Sequence, residues 1–198
     1  MDPSHDLVHD LQSRLEFIQA AERLKFVLRS AHASNGRQES TAEHSWRLCL
    51  LAITMQDLLE PLNFERVLKL CVVHDLAEAI SGDIPATEQT AGHHKSAQER
   101  ADLQTLTAPL PTSLRQQVLD LWEEYEGATT AEARVVKALD KLETLIQHNQ
   151  GANPPGFNYR FNLDYGSRHT QAHAVLARLR SIVDERTREL AQQAGQWP

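Results

Sequence analysis

The stretch Val72-Val73-His74-Asp75-Leu76-Ala77-Glu78-Ala79-Ile80-Ser81-Gly82-Asp83 does most to limit how this chain can fold. With Phe64, Val67, Leu68 and Cys71 before it, its apolar residues recur at helical spacing, predicting one buried helix ending near Ile80-Ser81-Gly82. Four ionisable side chains break that pattern: His74, Asp75, Glu78 one turn beyond His74 on the same face, and Asp83 just past the helix end. Burying such groups is costly unless something compensates their charge, and a divalent cation does so. The plainer alternative is a His-Asp pair hydrogen-bonded in the core.

Two distant residues interrupt apolar stretches in the same way. His44 falls in the first turn of a helix whose start is marked by a capping box, Ser40 with Glu43. Asp140 lies within a helix that carries Val135, Val136, Leu139, Leu142 and Leu145 and is expected to start at a second box, Thr129 with Glu132. Imidazoles and carboxylates drawn from three helices match the ligand set of a catalytic divalent ion. The His-Asp dipeptide alone carries little weight, because it also occurs at His5-Asp6 and His9-Asp10, in polar turns that read as solvated. His93-His94 offers ligands for a second metal, although its polar, glycine-preceded context favours a solvated loop.

The remainder reads as helices and connections. Leu7, Val8, Leu11, Leu15 and Ile18 are helically spaced, and the pattern runs on through Val27 and Leu28 to end at Arg29, before a polar loop over residues 30–39. A solvated helix is expected at about residues 96–106. Pro109 and Pro111 precede another helix through Leu114, Val118, Leu121 and Trp122. Residues 149–168 shift to Gly, Asn, Pro and aromatics, which suits a binding loop or lid, and a final helix follows at about 169–192. No period-2 run or internal repeat stands out, so the expectation is a single all-α domain over residues 1–198 with its metal-site core at about 20–146.

Composition narrows the function. The formal charge of −7 argues against binding a nucleic-acid polymer, so a phosphorylated substrate is small or held through a metal. No stretch approaches the ~20 apolar residues of a membrane span, and no basic region followed by an apolar run opens the chain, so a cytoplasmic location away from the membrane is expected. Cys49 and Cys71, both in apolar helical stretches, read as small buried hydrophobes.

His44, His74-Asp75 and Asp140 resemble the H…HD…D signature of the HD-domain phosphohydrolases. The likeness extends to Arg23-Leu24-Lys25, Arg29, residues 39–45, residues 73–85 and residues 121–126, which are similar to the 5'-deoxynucleotidase branch and span most of residues 20–146. The resemblance implies an all-α helical bundle, commonly a homodimer, that hydrolyses deoxyribonucleoside 5'-monophosphates to deoxynucleoside and phosphate. It implies that His44, His74, Asp75 and Asp140 bind a divalent ion, whether Mn, Co, Mg, Fe or Zn. It assigns Glu78 and Asp83 to catalysis or, as in some members, to a second cation, and Arg29 to the substrate phosphate. Bacterial members carry tryptophan after that arginine, where this chain has Ser30. Two rivals remain open: another HD-fold enzyme, a dinuclear oxygenase or a phosphodiesterase using His93 or His94, and a non-enzymatic regulator that binds nucleotide and metal.

Overall fold

The computed structural model describes residues 3–59, 61–85, 95–171 and 173–196. It is built of helices: α1 (Pro3–Ala21), α2 (Thr41–Thr54), α3 (Phe64–Val73), α4 (Glu78–Ser81), α5 (Lys95–Leu106), α6 (Thr112–Gly127), α7 (Ala131–Gln150), α8 (Tyr159–Asn162), α9 (Ser167–Thr170) and α10 (Ala174–Gln193). The 20-residue α7 is the axle, packing against α2, α3, α6, α9 and α10. Leu139, Leu142 and Leu145 on α7 meet Leu48 of α2, Leu70 of α3 and Leu176 of α10, all without exposed surface. A second apolar cluster gathers Leu24, Val73, Leu76, Leu103, Leu106, Leu119 and Trp122. The chain leaving α3 joins the two clusters, with Leu70 and Cys71 in the first and Val73, Leu76 and Ala77 in the second.

Several local expectations are corrected. Residues 30–39 form a hairpin rather than a loop: β1 (Leu28–His32) pairs antiparallel with β2 (Gln38–Ser40), Leu28 opposite Ser40 and His32 opposite Gln38. Asn35-Gly36 makes the turn, with Gly36 at φ +85°, a left-handed value that glycine adopts without strain. The strands are too short and polar to show an alternating pattern, so Arg29 lies on a strand instead of ending a helix. The expected single helix through Ser81 is also broken. Helix α3 stops at Val73, and residues 74–77 tighten into i→i+3 bonds, Leu76 N–H to the Val73 carbonyl and Glu78 N–H to that of Asp75, before α4 begins.

The Ser40–Glu43 capping box forms as expected, while α7 is capped by Thr130, whose hydroxyl accepts from Ala133 N–H. Glu132 is occupied elsewhere, accepting from the Asn63 N–H at 2.9 Å. Helix α5 is less solvated than expected, since Asp102, Leu103 and Leu106 are buried. The α1 stripe Leu7, Leu11, Leu15 and Ile18 is exposed, as are Trp46, Leu50 and Ile53 on α2. Cys49 and Cys71 are free thiols, Cys71 fully buried and Cys49 half-buried. No described helix is long and apolar enough to cross a membrane.

The segment over residues 149–168 contains α8 and leads into α9, and α10 starts later than expected, at Ala174. Buried Arg180 on α10 clamps it, donating to the carbonyls of Asn162, Leu163 and Tyr165 at 2.9, 2.7 and 2.7 Å. Gln196 adds a second tie, accepting from Tyr159 N–H and donating to the Phe157 carbonyl. Arg180→Met keeps the apolar stem but strips three carbonyls of their donor, so it is expected to lower unfolding free energy by about 2–4 kcal/mol in urea titrations. A loss of under about 0.5 kcal/mol, the size of a neutral surface change, would show that the clamp does not hold the segment.

Candidate metal centre

Three helices bring the expected ligand residues to one point. His44 lies in the first turn of α2, His74 and Asp75 in the tightened turn after α3, and Asp140 midway along α7. Consecutive residues on a regular α-helix point about 100° apart, and the tight turn is where His74 and Asp75 share one direction. His74 Nε2 lies 3.0 Å from Asp75 Oδ2 and 3.3 Å from His44 Nε2. His44 Nε2 lies 3.2 Å from Asp140 Oδ1 and 3.7 Å from Asp75 Oδ2.

Neighbouring groups fix which atoms face that point. His74 Nδ1 donates to the Cys71 carbonyl at 2.9 Å, so its Nε2 keeps a lone pair. His44 Nδ1 is held by the Glu143 carboxylate, which leaves its Nε2 free in the same way. Asp140 Oδ2 is taken by the Tyr125 hydroxyl at 2.6 Å and by Lys141 Nζ at 2.8 Å, so Oδ1 is the atom turned inward. Ligand atoms of His44, His74 and Asp75 therefore gather within 4.8 Å of one another, and Asp140 Oδ1 adjoins them at His44 Nε2. They repel one another unless a positive charge sits among them, and an N₂O₂ donor set of this kind fits a first-row divalent ion.

The titration behaviour agrees. Burial and the Arg29 charge push His44 down, yet its carboxylate neighbours Asp140 and Glu143 outweigh them and lift it to about 9. Burial opposes ionisation of Asp75 and Asp140, but His74 holds Asp75 below its usual range, and Lys141 with His44 does the same for Asp140. Glu78 is buried, accepts from the Thr41 hydroxyl at 3.0 Å, and is lifted to about 9 by burial and by Asp75 and Asp83. Burial also raises Asp83, against the pull of Arg29.

A cavity of about 360 Å³ opens beside this point, within the range of small-molecule sites. Asp75, Asp140, Glu78, Asp83 and Arg29 all line it, while His44 and His74 adjoin it through Asp75 and Asp140. Arg29 on β1 is mostly buried, 3.4 Å from Asp75, 3.5 Å from Glu39 and donating to the Thr144 hydroxyl at 3.1 Å. His93 and His94 lie outside the described residues.

The sequence reading missed Glu143, Lys141 and Thr144 on α7. A signal existed for Glu143, a carboxylate one turn from Asp140 within an apolar face, and it is 1% exposed. Tyr125 belonged to the matched stretch without a role. His148 and the wall supplied by residues 157–165 had no signal beyond the composition of that segment.

Comparisons with known proteins agree with this geometry. A family model described as HD domain matches residues 21–180. The chain is 34% identical to a 5'-deoxynucleotidase, HDDC2, of Danio rerio over 91% of this chain and 92% of that one. It is 35% identical to the Homo sapiens protein of the same name over 72% and 70%. Among solved structures, a predicted metal-dependent phosphohydrolase from Magnetospirillum magnetotacticum MS-1 superposes with a TM-score of 0.80 at 26% identity, covering 95% of both chains.

Glu143→Gln keeps the shape beside His44 but removes the charge that orients its imidazole. Affinity for Mn²⁺, Co²⁺ or Zn²⁺, read by titrating metal-free protein, is expected to fall about 10- to 100-fold. Unchanged affinity would remove Glu143 from the support of His44.

Proposed function

This chain belongs to the HD domain family and is a metal-dependent phosphohydrolase, and from that premise we propose that it is a 5'-deoxynucleotidase, cleaving deoxyribonucleoside 5'-monophosphates to deoxynucleoside and phosphate. One observation carries the reading: the anion-binding Arg29 lies 3.4 Å from Asp75, so a phosphate group and a divalent cation would share one cavity floor. The names borne by the relatives in Danio rerio and Homo sapiens support the substrate class.

His44, His74, Asp75 and Asp140 would hold the ion, with Glu78 and Asp83 as the candidates for a second one. When bound, such an ion polarises a phosphate oxygen and makes hydroxide available near neutral pH. Arg29 would grip the phosphate oxygens through its forked N–H groups, and Thr144 holds that guanidinium in place. Glu78 would move the proton. Thr41 donates to its Oε2, which leaves Oε1 to carry a proton and pass it to the departing 5'-oxygen. Asp83, raised by burial and lining the same cavity, would share that proton traffic.

We place the enzyme in the cytoplasm as a homodimer. The exposed apolar residues along α1 and α2 support self-association, because exposed apolar surface is favoured at contact faces.

The test is phosphate release from a panel of nucleoside monophosphates, with Mn, Co, Mg, Fe or Zn added to metal-free protein. Turnover is expected with at least one metal, on deoxyribonucleotides before ribonucleotides. Glu78→Ala is expected to keep the metal bound while lowering kcat about 10²- to 10⁴-fold. No release with any pair would end the nucleotidase reading, and full activity in the variant would remove Glu78 from the chemistry.

A further inference from the structure

The cavity extends well past the cluster of metal-binding candidates. Asp140, Thr144 and His148 all line it and follow one another at i, i+4 and i+8 on α7. At 1.5 Å per residue, His148 lies about 12 Å along the helix from Asp140. A phosphate held at the Asp140 end would put the sugar near Thr144 and whatever the sugar carries near His148.

That far end is built differently from the floor. Phe157, Phe161 and Tyr165 line it, each half-buried, with Phe161 and Tyr165 one turn apart and their ring centroids 5.8 Å apart. The backbone that carries them is held by Arg180 and Gln196, so the wall is preformed. Two polar side chains sit in the same wall, His148 at 8% and Asn162 at 1% exposure. His148 Nδ1 faces Asn162 Oδ1 at 3.2 Å. Their other atoms, His148 Nε2 and Asn162 Nδ2, are buried without a hydrogen-bond partner among the described residues.

With Nδ1–H donating to Asn162, the imidazole Nε2 is an acceptor and the Asn162 amide a donor. Exchanging the amide's oxygen and nitrogen reverses the two roles and still leaves one of each. Burial holds His148 down at about 4, which keeps the imidazole neutral at physiological pH. Unpartnered buried groups of this kind cost stability, and a ligand that satisfies them recovers it.

We propose that Phe161, Tyr165, His148 and Asn162 form a nucleobase subsite, in which the aromatic wall stacks on the base and the His148–Asn162 pair meets an adjacent donor and acceptor on its edge. Every common nucleobase presents such a pair, so the subsite selects a base over no base and tolerates base identity. Phe157 packs edge-on against the imidazole, centroids 4.9 Å apart, and lines the same cavity. The inference rests on the nucleotidase reading for its substrate and adds where the base is held.

The experiment compares kcat/KM for thymidine and deoxyadenosine 5'-monophosphates with kcat/KM for 2-deoxyribose 5-phosphate, which lacks a base. The nucleotide-to-abasic ratio cancels any general damage to the fold. It is expected to be large in the unaltered enzyme and to fall about tenfold in Phe161→Leu, the value of one base–aromatic stack, and by a similar factor in His148→Ala. Phe161→Tyr, which keeps the ring, is expected to hold the ratio. A ratio near one in the unaltered enzyme, or parallel losses on both substrates in the variants, would overturn the subsite and leave the phosphatase standing. If none of these substrates is hydrolysed, the nucleotidase reading fails, and direct binding of thymidine and deoxyadenosine then decides. Binding weakened about tenfold in Phe161→Leu supports the subsite, and no binding to the unaltered protein rejects it.

Discussion

Two imidazole nitrogens, His44 Nε2 and His74 Nε2, face each other at 3.3 Å with their lone pairs inward, and the rest of the site is arranged around relieving that opposition. Each ring is held in this orientation from behind, one by the Cys71 carbonyl and one by Glu143. The helices cannot easily move apart to relax it, because Leu48, Leu70 and Leu139 lock α2, α3 and α7 together in a core without exposed surface. Interiors packed this tightly transmit strain instead of absorbing it, so the relief must come from a charge placed in the gap. A divalent ion would supply that charge and take these groups as its ligands.

Two departures from regular helix make the cluster useful for phosphate chemistry. The tight turn after Val73 sends two successive side chains to the same point and places Glu78 beside them. The hairpin carries Arg29 in from the other side, where Asp75 and Glu39 face its charge and the Thr144 hydroxyl accepts one of its N–H groups. These neighbours hold the buried guanidinium in place, so under the proposed function it would meet a phosphate without first swinging in from solvent. The far wall of the cavity is carried mainly by residues 157–165, tied down by α10 and Gln196, with His148 of α7 joining it to the floor.

What the sequence revealed and what it hid divide along physical lines. His44, His74, Asp75 and Asp140 were legible because each puts a charged or metal-binding group into an apolar helical face, a local contradiction that periodicity exposes. Glu143, one turn from Asp140 on the same apolar face, carries the same contradiction. The hairpin was hidden because Leu28–His32 and Gln38–Ser40 are short, mixed in polarity and held mainly by neighbours distant in sequence. The cap of α7 was misplaced by one residue because Glu132 bonds to Asn63, a partner that only the folded chain supplies. The role of His148 and Asn162 could not be read at all, since it depends on two unpartnered atoms meeting in one cavity wall.

The central claim is that residues from three helices hold one divalent ion through two imidazoles and two carboxylates. X-ray absorption spectroscopy on the zinc-loaded protein tests it most directly. The expected spectrum has a mixed nitrogen and oxygen coordination sphere at roughly 2.0–2.2 Å, with two imidazoles that fall to one in His44→Ala and in His74→Ala. An all-oxygen sphere, or two imidazoles retained in either variant, would contradict the account.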